Sequence, residues 1–299
     1  MRIVITGGTG FIGREVVHRL LETPGARVAV TTRDPGRDDP WGGRVERLQA
    51  FAGDPLSLGK AFTGADVVVH AIQFPNHPVE DPARGRSYLE VDGEGTKVAV
   101  AVARKLGVRR FVYLSGAGAG RARPEPWFRA KDMAEAAIRE SGMEYALVRP
   151  SWIYGPGDHS MNRFVTFVRW LPVVPVIGDG TTPVYPIYVK DVARGVAEVA
   201  LREDAKDKAL DLGGPERLTM DEIIRTVQKV LGRRRRLLHH PAWLMKLLVM
   251  PMALLPEPIL SPGAIDFILQ EVDLDPRPAM EYLGFPLRTL EDGLGDYLR

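Results

Sequence analysis

The sequence predicts an α/β protein, a doubly wound parallel sheet followed by a smaller mixed α/β lobe. Three observations predict it. Short apolar runs alternate with amphipathic stretches through the first half. A glycine-rich turn joins the first run to the first of those stretches. After Pro150 the texture changes, with Pro172, Pro175, Pro183 and Pro186 punctuating short extended pieces. Apolar runs separated by amphipathic helices give parallel strands buried on both faces, and right-handed crossovers then wind the sheet both ways. The 299 residues, 45% hydrophobic and 26% charged, are ordinary globular composition.

In order, the strands are expected at Ile3–Thr6, Val28–Thr32, Val45–Ala50, Asp66–Ala71, Phe111–Ser115 and Tyr145–Pro150. Helices are expected at Phe11–Glu22, Ser87–Leu106 and Trp127–Ser141. Beyond Pro150 they return at Lys190–Arg202, Met220–Leu231, Trp243–Leu255 (with Pro251 as a break) and Leu290–Leu298. Thr219 and Glu222 form a capping box, and Thr289 caps the last helix with Asp292 in its first turn. The expected division is a dinucleotide-binding unit over 1–150 and a substrate or partner lobe over 151–299, packed on the first without a linker.

Charge and composition exclude several functions. Forty basic residues against 38 acidic ones give a net charge of +2, so the overall balance signals neither a nucleic-acid partner nor an anionic membrane. With no cysteine there are no disulfides, thiolate nucleophiles or iron–sulfur ligands. No metal is expected; His239-His240-Pro241 lacks a second ligand cluster nearby in sequence. The start Met1–Thr6 has no leader layout and no run predicts a membrane span, so a cytoplasmic location is expected.

The turn Thr6-Gly7-Gly8-Thr9-Gly10-Phe11-Ile12-Gly13 carries the main functional signal. Gly7 permits the tight turn, Gly10 admits a pyrophosphate close to the backbone, and Gly13 lets helix pack on strand. The pyrophosphate then lies on the unpaired N–H groups of the helix start, among Thr9, Phe11 and Ile12. The second strand ends Thr31-Thr32-Arg33-Asp34. An acid there would accept from a ribose 2′-OH, whereas a guanidinium forks onto a 2′-phosphate. Thr32 and Arg33, with Arg14 assisting, therefore point to NADP(H); NAD(H) stays open, because a rotation would present Asp34. Asp54 is read either as an adenine contact or as an Asp-Pro turn residue.

The glycine spacing resembles the short-chain dehydrogenase/reductase superfamily, in its extended and atypical branches. These include nucleotide-sugar epimerases and dehydratases, and subunit-9-like proteins associated with respiratory complex I. Asp66-Val67-Val68-Val69-His70-Ala71 is similar to the family's fourth strand, which ends beside the cofactor at Ala71 and Ile72. Arg149-Pro150-Ser151-Trp152-Ile153-Tyr154-Gly155-Pro156-Gly157 resembles the turn after strand six, which would place Pro150, Trp152 and Ile153 under the nicotinamide. Tyr188-Val189-Lys190-Asp191-Val192-Ala193 resembles the family's next helix start.

The resemblance implies a Ser, a Tyr and a Lys as the catalytic set, the last two spaced Tyr-x-x-x-Lys on one helical face. Ser115 matches the serine and Lys131 the lysine, which would hold the nicotinamide ribose. Trp127 stands at the tyrosine position, and an indole N–H donates but cannot act as a general acid or base. Three readings stay open. One is an NADP(H)-dependent oxidoreductase whose proton comes from Tyr154, His159, Tyr185 or water. Another is a non-catalytic nucleotide-binding subunit. The third, a sugar-nucleotide epimerase or dehydratase, needs the same missing phenol. Phe74, Trp152, Phe164, Phe167 and Trp170 suggest either an apolar or aromatic substrate pocket or plain core. The run Arg233–Arg236 with the apolar stretch after it, over 233–256, is read as a solvated turn and lobe packing, or as a contact with a membrane surface or a protein partner.

Overall fold

The computed structural model describes residues 1–36, 39–75, 77–251, 260–270 and 272–298. The first half runs β1 (Arg2–Thr6), α1 (Phe11–Leu21), β2 (Arg27–Thr32), β3 (Glu46–Gln49), α2 (Pro55–Phe62) and β4 (Val67–His70). A π-helical stretch, Tyr88–Glu94, leads straight into α3 (Gly95–Lys105), followed by β5 (Arg110–Leu114), α4 (Pro126–Glu140) and β6 (Glu144–Pro150). The second half contains β7 (Ile153–Tyr154), α5 (Met161–Trp170), β8 (Val173–Ile177), β9 (Pro183–Val184), β10 (Ile187–Tyr188), α6 (Val189–Leu201) and β11 (Lys208–Leu212). It ends with β12 (Leu218–Thr219), α7 (Met220–Val230), β13 (Arg236–His240), α8 (Ala242–Val249), α9 (Pro262–Ile268), α10 (Arg277–Leu283) and α11 (Leu290–Leu298).

Seven strands form one parallel sheet in the order β11-β6-β5-β4-β1-β2-β3. Alternate residues of each strand feed opposite cores. Ile3, Ile5, Val67, Val69, Val112 and Val148 pack with α1 and α6 on one face. Val4, Val68, Phe111, Tyr113 and Leu147 pack with α2, α3 and α4 on the other. Both faces are therefore dry, which is why the strands read as unbroken apolar runs. A third core, including Tyr154, Val165, Val174, Ile223 and Leu294, holds the C-terminal lobe.

Several differences from the sequence reading have local causes. Asp54 and Pro55 start a helix: Asp54 caps α2 by accepting from the N–H groups of Leu56 and Ser57, at 3.2 and 3.1 Å, and Pro55 takes its first turn. The helix expected over Ser87–Leu106 is π-helical in its first half. The division at Pro150 is crossed by the sheet, because β11 pairs with β6 and α6 packs into the core over α1. The capping box at Thr219 and Glu222 is formed, and Thr289 accepts from the Asp292 N–H at 3.2 Å. Of the stretch Trp243–Leu255, α8 is helical, while residues 252–255 lie outside the described residues. No described helix is long and apolar enough to cross a membrane.

Candidate dinucleotide site

Strand order reverses between β1 and β4, so a crevice opens at their C-terminal ends. The glycine turn lies there. Gly7 has φ +73°, and a Cβ on it would run into the Ala71 carbonyl; one on Gly13 would run into the Gly7 carbonyl. A Cβ on Gly10 would meet only Gly7 O, at 3.2 Å, and Gly10 and Thr9 face solvent. The Gly10 N–H closes the turn on Gly7 O at 2.9 Å. No side chain caps α1 and no acid stands in its first turn. The N–H groups of Phe11, Ile12 and Gly13 thus lack intrahelical acceptors, and the helix start suits a diphosphate in shape and sign. Ala71 borders the turn, its N–H donating to Thr6 O at 3.1 Å, and Ile72 follows, half-buried.

Arg33 is exposed at the tip of β2 and has no ion pair among the described residues. Asp34 is turned into its own loop, accepting from the Gly36 N–H at 3.0 Å, while Thr32 Oγ1 accepts from the Asp34 N–H at 3.3 Å. The guanidinium rather than the carboxylate is the free group at this tip. Arg14 reaches back to Thr9 O at 3.5 Å. Asp54 is held below its ordinary carboxylate range by the Ser57 hydroxyl and N–H, the signature of its capping bonds.

The two matched catalytic residues lie in separate buried polar clusters. Ser115 Oγ donates to Glu135 Oε1 at 2.7 Å, and Glu135 takes a two-pronged contact from Arg149, at 2.8 and 2.5 Å. Lys131 Nζ donates to Asp92 Oδ1 at 3.0 Å and to the Tyr113 hydroxyl at 3.3 Å. Burial alone would push the Lys131 ammonium down, but Tyr113 and Asp92 outweigh it and hold the pKa above its ordinary value. Burial pushes Asp92 up, opposed by Lys131. Trp127 lies one turn before Lys131 with its ring against the Gly116 backbone, and its Nε1 is buried without a hydrogen-bond partner among the described residues. Trp127 therefore presents a flat, largely apolar ring here.

From Asp92 the polar chain continues through the sheet. Thr96 Oγ1 donates to Asp92 O at 2.6 Å, so at 3.2 Å it accepts from His70 Nε2–H. His70 Nδ1 then accepts from the Thr6 hydroxyl at 2.8 Å. Burial, then the nearby Lys131 charge, lowers the His70 pKa to about 3, so the ring is neutral.

Aromatic side chains from four segments meet beside the start of α4. Phe74 lies 4.8 Å from Tyr88, whose hydroxyl meets His77 Nδ1 at 3.1 Å. Phe267 of α9 packs edge-on to His77 and Trp127, at 5.0 and 5.5 Å. Phe74 thus belongs to a buried aromatic cluster packed on α4. Trp152, Phe164 and Phe167 pack instead against the lobe core, with Trp152 Nε1 donating to Ser160 Oγ at 2.7 Å, and Trp170 is exposed. Pro150 O accepts from the Ala117 N–H at 2.9 Å, and Ile153 pairs with Ile187. Tyr154 is corrected as a proton source: it is fully buried in the lobe, donates to Thr289 O at 3.1 Å, and is held above its ordinary pKa by burial. His159 is exposed, and Tyr185 lies beside Gly213. His239 pairs with Asp221 at 2.9 Å, and no metal-binding group of three appears among the described residues.

Sequence reasoning missed Asp92, Glu135 and Phe267. Two signals were available. Trp127, Lys131 and Glu135 recur every four residues on one face of α4, and Asp92 interrupts the buried stripe Tyr88, Thr96, Ala99, Ala103. An acid at such a position calls for a buried cation.

A family model described as NAD(P)H-binding matches residues 7–202. The chain is 28% identical over 257 residues to NADH dehydrogenase (ubiquinone) 1 alpha subcomplex subunit 9, mitochondrial, of Arabidopsis thaliana, covering 83% of this chain and 62% of that protein. It is 31% identical over 242 residues to a (4-alkanoyl-5-oxo-2,5-dihydrofuran-3-yl)methyl phosphate reductase of Streptomyces griseus, covering 78% of this chain and 75% of the relative. The chain spans about three fifths of the length of the subunit 9 relatives it matches. Its fold matches the crystal structure of a nucleoside-diphosphate-sugar epimerase from Staphylococcus aureus, with a TM-score of 0.79, 18% identity and coverage of 99% and 100%. On the glycine turn at the sheet's switch point and on these matches, the chain belongs to the NAD(P)H-binding family.

Proposed function

We propose that the chain is an NADP(H)-dependent oxidoreductase that reduces an apolar acceptor without a protonating phenol on α4. What supports this reading is Trp127 at the position where the resemblance expects a tyrosine, four residues before a lysine that stays charged. Main-chain N–H groups of the Gly7–Gly13 turn hold the diphosphate, Arg33 forks onto the 2′-phosphate beside Thr32, and Asp54 meets the adenine. Ala71, Ile72, Pro150, Trp152 and Ile153 border the nicotinamide. Two of the three Lys131 N–H bonds go to Asp92 and Tyr113, which leaves one for a ribose hydroxyl. Bound NADPH supplies hydride. The Lys131 charge offsets the negative charge left on the acceptor, and water gives the completing proton, since the indole cannot. The wall of Phe74, Tyr88, Trp127 and Phe267 favours a flat or apolar acceptor.

A second reading, a subunit that holds the nucleotide without turnover, is favoured by the closure of Ser115 on Glu135. One experiment separates the two. NADPH and NADH are titrated by fluorescence, then deuterated NADPH is incubated with aldehydes, ketones and quinones. The oxidoreductase reading expects tighter NADPH binding and deuterium in a reduced acceptor. Tight binding with no acceptor labelled leaves the subunit reading standing, and equal or tighter NADH binding removes Arg33 from the site.

A further inference from the structure

We propose that α8 and the arginine run before it form a docking surface for an anionic lipid bilayer. Residues 223–256 contain seven cations, Arg225, Lys229, Arg233, Arg234, Arg235, Arg236 and Lys246, and no Asp or Glu, in a chain whose net charge is only +2. Arg225 and Lys229 pair with Asp221 and Glu291, at 3.9 and 2.6 Å, whereas Arg233, Arg234 and Arg236 have no carboxylate partner among the described residues. A cavity of about 640 Å³ lies at the end of α7, and its charged lining is entirely basic: Arg225, Lys229, Arg233, Arg234 and Arg235.

The apolar half of the surface adjoins it along β13. Arg236 and Leu238 alternate toward solvent, while Leu237 packs on the lobe core. The strand delivers the chain to α8, where Trp243, Leu247 and the C-cap Met250 recur at i, i+4 and i+7 and are 68%, 57% and 58% exposed. Those spacings place them on one helical face, about 10 Å long. The only cation of α8, Lys246, is paired with Asp266 of α9. At the other end of the ribbon, Arg235 Nε donates to Val168 O at 3.1 Å, tying the run to the end of α5, where Trp170 is 79% exposed.

A short helix with a tryptophan-led apolar face, beside clustered unpaired arginines, has the charge and hydrophobicity of an interfacial anchor. The absence of acids across the segment favours a uniformly negative surface over a mixed-charge protein face. The same region leads back to the crevice, because α8 pairs through Lys246–Asp266 with α9, whose Phe267 packs on Trp127.

The test is co-sedimentation of the full chain with vesicles of phosphatidylcholine alone or mixed with phosphatidylglycerol, at low and high salt. Binding to the mixed vesicles is expected to exceed that to neutral ones by about tenfold and to fall with salt. Tryptophan emission should shift to the blue on binding, and the shift should be lost in Trp243→Phe. Leu247→Glu should weaken binding about tenfold or more, and each of Arg233→Glu and Arg234→Glu about fivefold. Nucleotide affinity, which these residues do not touch, reports that the variants fold. Absent sedimentation, equal binding to neutral vesicles, or full competition by inorganic phosphate would overturn the proposal. So would a wild-type dimer that Leu247→Glu dissociates, which would make this face an interface between copies.

Discussion

Lys131 Nζ stands 3.0 Å from Asp92 Oδ1, and neither side chain is appreciably exposed. A charge pair sealed from water is costly to break from one side only. Lys131→Met should therefore lower the unfolding free energy by about 3 kcal/mol or more. Adding Asp92→Leu should return most of it, because no uncompensated charge is then buried. Urea denaturation of the single and double variants measures this; a double variant no better than Lys131→Met would refute the pairing.

Ser115→Ala removes one hydrogen bond to Glu135 and should cost about 1 kcal/mol of stability. Glu135→Ala leaves the Arg149 guanidinium only its longer contact with Asp211, at 3.6 Å, and should cost about 2 kcal/mol. Neither should change NADPH affinity by more than about twofold if these residues act as structure. A large loss of affinity in Ser115→Ala would return the serine to the cofactor site.

Gly13→Ala puts a methyl against the Gly7 carbonyl, which is backbone and cannot move aside. Nucleotide binding should disappear, and the melting-temperature rise given by saturating NADPH should vanish with it. Calorimetry with and without nucleotide reads both. Gly25→Ala is a useful contrast: φ is +77° there, yet nothing lies within 4 Å, so any cost is backbone strain and binding should survive.

Arg33→Ala should weaken NADPH about tenfold or more while leaving NADH nearly unchanged, since only the 2′-phosphate is lost as a partner. A parallel loss for both nucleotides would mean that Arg33 supports the fold of the β2 tip instead.

Acid should unfold the protein earlier than its carboxylates alone require. Burial, aided by the Lys131 charge, lowers the pKa values of His70 and His77 to about 3. Unfolded histidines bind a proton near 6.5. Between those values the unfolded chain carries more protons, so stability is complete above about pH 6.5 and falls as pH drops, by up to about 1.4 kcal/mol per pH unit for each ring. Denaturant midpoints measured from pH 7.5 to 4.5 should decline more shallowly in His70→Asn.

The central strands and the glycine turn were legible in the sequence because their signals are local and repeated, as at Ile3–Thr6 and Gly7–Gly13. Helix α2 was not, since Asp54-Pro55 signals both a turn and a helix start, and only the following Leu58, Ala61 and Phe62 facing the core decide between them. Strand β11 was invisible for another reason: Lys208–Leu212 has mixed polarity and is a strand because Ala146–Pro150 offers it an edge. In the site, Trp127 could be placed by its spacing from Lys131. The pairing of Lys131 with Asp92, 39 residues away, is a product of the fold.

The pairing of β11 on β6 also sets an order of assembly during synthesis. Until Leu212 has left the ribosome, the β6 edge presents a row of open amide and carbonyl groups to whatever lies nearby. A nascent chain from which β6 but not β11 has emerged would carry the folded glycine turn and an uncovered seam, open to a chaperone or a second unfinished copy.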